Sequence, residues 1–278
     1  MEIYRSEFRV TKMAKVLGVS KSGFYAYLKR PKSNQEKENE LLLEKIKKIH
    51  KRSHGIYGYP RITKELRQDG APSKNRVYRL MRENGIRSKT VKKYKATTNS
   101  SHNLPIAENL LNQEFTADKP NQKWVSDITY VATDEGWLYL AGVMDLHGRV
   151  IVGFSMARHM RRSLVIQALN QAVGRTGAKE GLLVHSDRGV QYASKEYQAI
   201  LNKHKFICSM SRKGNCYDNA PMESFWGKLK QEWLYGRKFK TRAEAKAAIF
   251  EYIEVFYNRQ RIHSSNKYKT PMEAIKAA

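Results

Sequence analysis

Between residues 9 and 29, Val10, Met13, Ala14 and Leu17 recur at helical spacing, "GVS" breaks the run, and Phe24, Tyr25 and Leu28 resume it. The pattern predicts a helix-turn-helix, with Lys21 and Ser22 at the start of the second helix, where side chains could meet DNA. A charged helix follows over "NQEKENELLLEKIKKIHK"; its apolar stripe of Leu42, Ile46 and Ile49 suits packing or spacing better than binding. "YPRITKELRQDG" and "SKNRVYRLMRENG" read as two more helices, each ending in glycine (Gly70, Gly85), with Ser73 placed to cap the second. That second helix carries Lys74, Arg76, Arg79 and Arg82 against the single acid Glu83. Such a run is either a solvated face or a phosphate-contacting one. Arg87, Lys89, Lys92, Lys93 and Lys95 then precede a Thr/Asn/Ser tail, a linker able to follow a DNA backbone.

From about residue 120 the period shortens to two. "QKWVSDITYVA", "WLYLAGVMD" and "VIVGFSM" alternate as strands and are joined by the turns "TDEG" and "LHGR", which predicts an antiparallel meander. A helix ("SLVIQALNQAV"), a strand ("LLVHSD"), a helix ("KEYQAILNKH") and a short strand ("FICSM") follow. The order predicts a mixed-sheet αβα domain, α/β in class, behind an all-α N-terminal part. The chain closes on the helix "TRAEAKAAIFEYIEVFYNRQ".

Charge narrows the partners. The chain of 278 residues has 52 Lys plus Arg against 26 Asp plus Glu, a net +26 and a pI near 10.0. An excess that large attracts a polyanion, most naturally nucleic acid. No apolar run approaches the roughly 18–20 residues of a spanning helix and no signal peptide opens the sequence, so a cytoplasmic protein without a membrane partner is expected. Cys208 and Cys216 are too few for a disulfide framework and read as reduced thiols.

Three acids stand out by position. Asp127 interrupts the first strand, where a buried carboxylate needs a partner; Asp187 ends "LLVHSD", where a sheet hands over to a loop; Glu223 falls in the first turn of the helix after "GNCYDNAP". Each has a plain alternative: a backbone amide for Asp127, a turn cap for Asp187, and helix punctuation with Asn219 as cap and Pro221 at the helix start for Glu223. Together, three carboxylates on a strand, a strand end and a helix could offer hard oxygen ligands to one or two Mg²⁺ ions for an in-line phosphoryl displacement.

The motifs "PNQKWVSDITYV", "LLVHSDRGVQYAS", "SRKGNCYDNAPMESFWGKLKQE" and "YNRQRIHSSNKYKTPMEAI", with 35 residues between Asp187 and Glu223, make the resemblance specific. The sequence resembles the B-frame DDE transposases of copy-out/paste-in insertion sequences, whose integrase-like core has the ribonuclease-H-like fold. "HGIYGYPRI" and "VYRLMRENGIR" are similar to that family's accessory DNA-binding domain. The resemblance implies Asp127, Asp187 and Glu223 as catalytic ligands of two Mg²⁺ ions, with Mn²⁺ able to substitute. It implies that Lys230, seven residues after Glu223, contacts the DNA end. It also implies that Arg188, Gln191 and Tyr192 shape the loop beside Asp187, and that Asn215, Asp218 and Asn219 form a mobile loop over the site.

The implied partners are double-stranded DNA (terminal inverted repeats and target), a second copy of the chain on paired ends, and an upstream A-frame protein as fusion. His50 and His54 have no cysteine nearby in sequence, so the zinc domain of retroviral integrases is not expected. The expected division is a helix-turn-helix at 1–32, a helical accessory domain at 33–98, a linker at 99–119, the catalytic core at 120–235 and a C-terminal helical extension at 236–278. A structure-specific nuclease would share the acids without needing two DNA-binding segments. A non-catalytic regulator would need those segments without the acids.

Overall fold

The computed structural model describes residues 1–67, 72–89 and 106–277; Gly70, Lys92 and Lys93 lie outside the described residues. Its centre is a five-stranded sheet of order β3-β2-β1-β4-β5. β1 (Lys123–Thr133), β2 (Gly136–Asp145) and β3 (Val150–Ala157) form the antiparallel meander that the two short turns demand. β4 (Leu183–Ser186) and β5 (Ile207–Met210) run parallel to β1, because helices α6 (Arg162–Thr176) and α7 (Lys195–Lys203) return the chain to the same end of the sheet before each. Both faces are covered, which gives the predicted αβα layering.

One face buries Trp124, Val143 and Val152 beneath α6 and α7, where Leu164, Ala168, Leu169 and Leu201 pack. Gly153 lets α6 ride close on β3: a Cβ there would stand 2.3 Å from the Ala168 carbonyl oxygen. The other face buries Val125, Val131, Leu138 and Leu140 beneath α8 (Ala220–Leu229) and α9 (Arg242–Phe250). Both of these helices continue in wider π-type turns, Lys230–Leu234 and Glu251–Tyr257. A last short helix, α10 (Pro271–Lys276), starts at a Thr270/Glu273 capping box.

The N-terminal part is all-helical. α1 (Val10–Val16) and α2 (Lys21–Lys29) pack on each other through Ala14 and Phe24. α3 (Asn34–Arg52), α4 (Tyr59–Leu66) and α5 (Lys74–Glu83) form a bundle around Ile46, Ile62, Leu66, Val77 and Leu80. That cluster is continuous with the apolar core under α8 and α9. The join is specific: the Tyr57 hydroxyl donates to the Gln260 carbonyl at 3.1 Å and accepts from the Ile262 amide at 2.8 Å. His54 packs edge-on against Trp233 and Phe256, with ring centroids 4.7 and 5.6 Å apart. His50 approaches the Arg87 carbonyl with Nε2 at 3.0 Å. The two histidines are thus joints of the helical bundle.

Candidate active site

β1 carries Asp127 at its middle, paired with Gly142 on β2. Cross-strand partners point to the same face, so a glycine opposite leaves open space beside the carboxylate. α8 fills it. A Cβ on Gly142 would lie 2.8 Å from the Trp226 ring, and the Trp226 indole N–H donates to Asp127 Oδ2 at 3.0 Å. Burial, then the charge of Asp187, then that of Glu223, hold the Asp127 carboxyl well above the usual carboxylate range; the Ile128 amide and Trp226 pull it partly back.

Asp187 follows β4, the parallel neighbour of β1. Their register, Lys123↔Leu183 to Val125↔His185, continued two residues further, sets Asp187 level with Asp127. Asp187 Oδ1 accepts from the Gly189 amide at 2.9 Å, which turns the chain away from the strand end. Gln191 Nε2 donates to the Met160 carbonyl at 2.8 Å, and the Tyr192 hydroxyl meets Ser126 Oγ at 3.0 Å, so this loop is tied to β1 beside Asp127. Arg188 Nε donates to the Ser211 carbonyl, which joins the loop to the end of β5.

Glu223 stands in the first turn of α8, exposed at its surface, and partial burial of its carboxyl raises its pKa. Glu223, Trp226 and Lys230 follow the i, i+3, i+7 spacing of one helix face. The Lys230 ammonium lies 5.2 Å from the centre of the Tyr130 ring; burial lowers its pKa and the Asp127 charge raises it. Strand, strand end and helix therefore bring the three acids into one electrostatic neighbourhood. They do not close on a common point: among the described residues no group of three His, Cys, Asp or Glu side chains is gathered tightly enough to hold an ion by itself. Like charges at short range repel, and a divalent cation is the group that would offset this. The all-oxygen donor set suits a hard cation such as Mg²⁺, and exposed Glu223 is the member with room to swing inward.

The helix start differs from expectation in one respect. Asn219 sits at the N-cap position but makes no capping bond; its Nδ2 donates instead to the Ser126 carbonyl at 3.0 Å, and Pro221 occupies the second helical position. A side chain already bound to β1 cannot also turn back to cap, so Asn219 staples α8 to the strand carrying Asp127. Asp218 is likewise an anchor. It is fully buried and accepts from Arg212 and from Gln113 Nε2 at 2.9 Å, which holds its carboxyl well below the usual range. Asp218 and Asn219 thus tie the C-terminal end of the loop before α8 to Gln113, Arg212 and β1. Sequence reading missed Trp226, Gly142 and Gln113 as parts of the site; only the cross-strand pairing of Gly142 with Asp127 could have signalled the first two.

Residues 117–216 and 223–273 match the integrase core domain, and residues 36–94 match the HTH-like domain. Over 267 residues the chain is 43% identical to the transposase InsF for insertion sequence IS3A of Escherichia coli (strain K12), covering 95% of this chain and 93% of that one. The chain belongs to this family of insertion-sequence transposases. It is also 49% identical over 253 residues to the insertion element IS600 uncharacterized 31 kDa protein of Shigella sonnei, covering 91% of this chain and 93% of the other. Its sheet is thus the ribonuclease-H-like sheet of an integrase core.

Within this transposase-family chain, the residues expected at DNA are spread along the helical part. Lys21 opens α2 behind the Ser20 cap, with Ser22 beside it, both exposed. Lys74, Arg79 and Arg82 lie on the exposed side of α5, capped by Ser73. Arg76 is engaged inside the bundle, donating to Asn39 Oδ1 at 2.8 Å and to Glu38 at 3.1 Å. Arg79 lies 3.8 Å from Glu83. Cys208 is a free thiol, and no helix among the described residues is long and apolar enough to cross a membrane.

Proposed function

We propose that this protein cuts one DNA strand at each end of a mobile element and transfers the freed 3′ end to DNA, with Asp127, Asp187 and Glu223 as the catalytic carboxylates. The observation that carries the reading is at Asp127, a buried strand carboxylate whose pKa is raised first by burial and further by the charges of Asp187 and Glu223. Folding tolerates such a cluster at a cost, and that cost is offset when cations and a phosphodiester arrive.

The three carboxylates would hold two Mg²⁺ ions, or Mn²⁺ in their place, which when bound supply charge for an attacking and a departing oxygen. The chain's own residues do the rest. Trp226 orients Asp127, Asn219 and Tyr192 fix β1 against α8 and the Asp187 loop, and Lys230, on the face of α8 that carries Glu223, contacts the DNA end. A water or a DNA 3′-hydroxyl oxygen bonds to phosphorus and gives up its proton to solvent, while the bond from phosphorus to the leaving 3′ oxygen breaks and that oxygen takes a proton from solvent to become a 3′-hydroxyl. No bond to protein forms. Lys21, Ser22, Lys74, Arg79, Arg82, Lys92, Lys93 and Arg188 belong to the DNA-contacting set of this reading, and Arg76 supports α5 within it. The division at 1–32, 33–98, 99–119, 120–235 and 236–278 belongs to it too, as do pairing with a second copy on DNA and fusion to an upstream A-frame protein.

The test is incubation of the full chain with end-labelled terminal-repeat duplex and Mg²⁺. Asp127→Asn and Glu223→Gln are expected to lose cleavage and strand transfer while binding the duplex within about twofold of the parent, as for groups acting only in the transition state. Cleavage surviving in either variant would overturn the assignment.

A further inference from the structure

The back of α8 holds a second, oppositely charged cluster. Arg261, 1% exposed, forms a two-pronged ion pair with Glu232, its Nε donating to Oε2 at 2.7 Å and its Nη2 to Oε1, while the Tyr252 hydroxyl donates to the same carboxylate at 2.8 Å. That one acid is used up. Around it stand Arg61 from α4, Arg149 from the turn before β3, and Lys228 from α8. Two tyrosines hold the cations in place. The Tyr57 ring lies 5.6 Å from the Arg61 guanidinium carbon, and the Tyr257 ring 6.0 Å from that of Arg261, with the Tyr257 hydroxyl donating to the Arg149 carbonyl at 3.0 Å.

The Lys228 ammonium donates to His263 Nε2 at 3.3 Å, a neutral acceptor, and neither Lys228 nor Arg61 has a carboxylate partner among the described residues. Arg261 Nη1 is buried without a hydrogen-bond partner. The fields of Arg261, Arg61 and Arg149 add to burial in depressing Lys228, so the four cations sense one another. Four cations against one acid in a half-buried seam is unfavourable unless an anion enters.

The seam continues outward. Arg61 and Lys64 lie three apart on α4 and so share a face. Lys64 lines an open cleft of about 600 Å³ with Arg67, Lys267 and Lys269. The two acids of this cleft are also engaged: Glu65 pairs with Arg52, and Glu273 accepts from the Thr270 amide at 2.8 Å.

We propose that the seam between α4 and the segment 261–269 is a DNA-backbone site, in which Arg61 and Lys228 hold one phosphate and the Lys267/Lys269 cleft carries the strand onward. The site lies where the accessory bundle meets the helix bearing Glu223. A DNA strand bound there would tie the two parts together while leaving the carboxylate face of α8 free. The proposal rests on the protein acting on DNA but not on which residues are catalytic.

Its test is binding of the full chain to a random-sequence duplex across a salt series, read by fluorescence anisotropy. Each phosphate that the protein no longer neutralises lowers the slope of log K against log salt by about 0.9. The double variant Arg61→Gln/Lys228→Gln is expected to show that drop, and Arg61→Lys to keep the parent slope. Lys267→Gln/Lys269→Gln, exposed and therefore harmless to folding, is expected to lower the slope as well. Slopes within about 0.3 of the parent in both double variants would overturn the proposal. So would a melting-temperature rise in inorganic phosphate, against chloride of equal ionic strength, that the Arg61→Gln/Lys228→Gln variant loses with its DNA slope unchanged. That result would assign the cluster to a free anion. Because the duplex has no terminal repeat and no cut is scored, an inactive triad would leave these outcomes untouched.

Discussion

The Trp226 indole N–H donates to Asp127 Oδ2 across 3.0 Å, joining residues 99 positions apart in the chain. Together with the Ile128 amide, the bond holds the orientation of the carboxylate. Trp226→Phe keeps a ring beneath β2 but removes the donor. Strand cleavage is expected to fall about 10–100-fold, the range for losing a group that orients a metal ligand, the role proposed for Asp127. Duplex affinity should stay at the parent value, and parallel cleavage and anisotropy measurements check both.

The indole reaches Asp127 because Gly142 has no side chain. Gly142→Ala would place a Cβ 2.8 Å from the ring, and overpacking of this kind costs about 1–3 kcal/mol. The variant is expected to lose stability in urea and also cleavage at temperatures where it remains folded. Gly153→Ala crowds α6 on the far side of the sheet instead, so it should lose stability while its folded fraction still cuts DNA. Comparing activity per folded molecule separates the two.

Asp218 is held ionised by Arg212, and its folded pKa lies below its unfolded one. The stability this gives is fully present above the unfolded value of about 3.9 and is lost as pH falls through the folded value. Asp218→Asn should therefore unfold at lower urea than the parent at pH 7, with the difference shrinking below about pH 4. A difference unchanged at pH 3 would assign the effect to packing alone.

Lys228 shifts stability with the same sign but in the alkaline range. Burial, then Arg261, Arg61 and Arg149, push its pKa down to about 8, while Glu232 pulls it up; its ammonium donates to His263 Nε2. The unfolded chain keeps that proton up to about 10.4, so between these values it binds more protons than the folded chain and stability rises with pH. Without DNA, the parent should gain about 2–3 kcal/mol between pH 8 and 10 that Lys228→Met does not. Urea denaturation of the two proteins side by side measures it.

Much of the fold was legible locally. The period-two runs with their turns specified the meander, and apolar spacing placed the helices, as with Ile46 on α3, because side-chain burial on one face repeats with the geometry of the element itself. Asp127 was conspicuous because a strand interior rejects an unpaired acid. The chemistry expected of the triad came from the family resemblance and its motifs, and motifs do not say how close three side chains approach.

What only the tertiary structure decided is which neighbours each group acquires. Asn219 looks like a helix cap until β1 offers its Ser126 carbonyl, and Asp218 looks like turn chemistry until Gln113 and Arg212 enclose it. The terminal run "RQRIHSS" carries no periodic signal, yet folding sets Arg261 against Glu232 and His263 against Lys228. Periodicity is a property of one element and is written in consecutive residues. Electrostatic partnership depends on distances of a few ångströms between elements far apart in sequence, which exist only once the sheet and both its helical layers have closed.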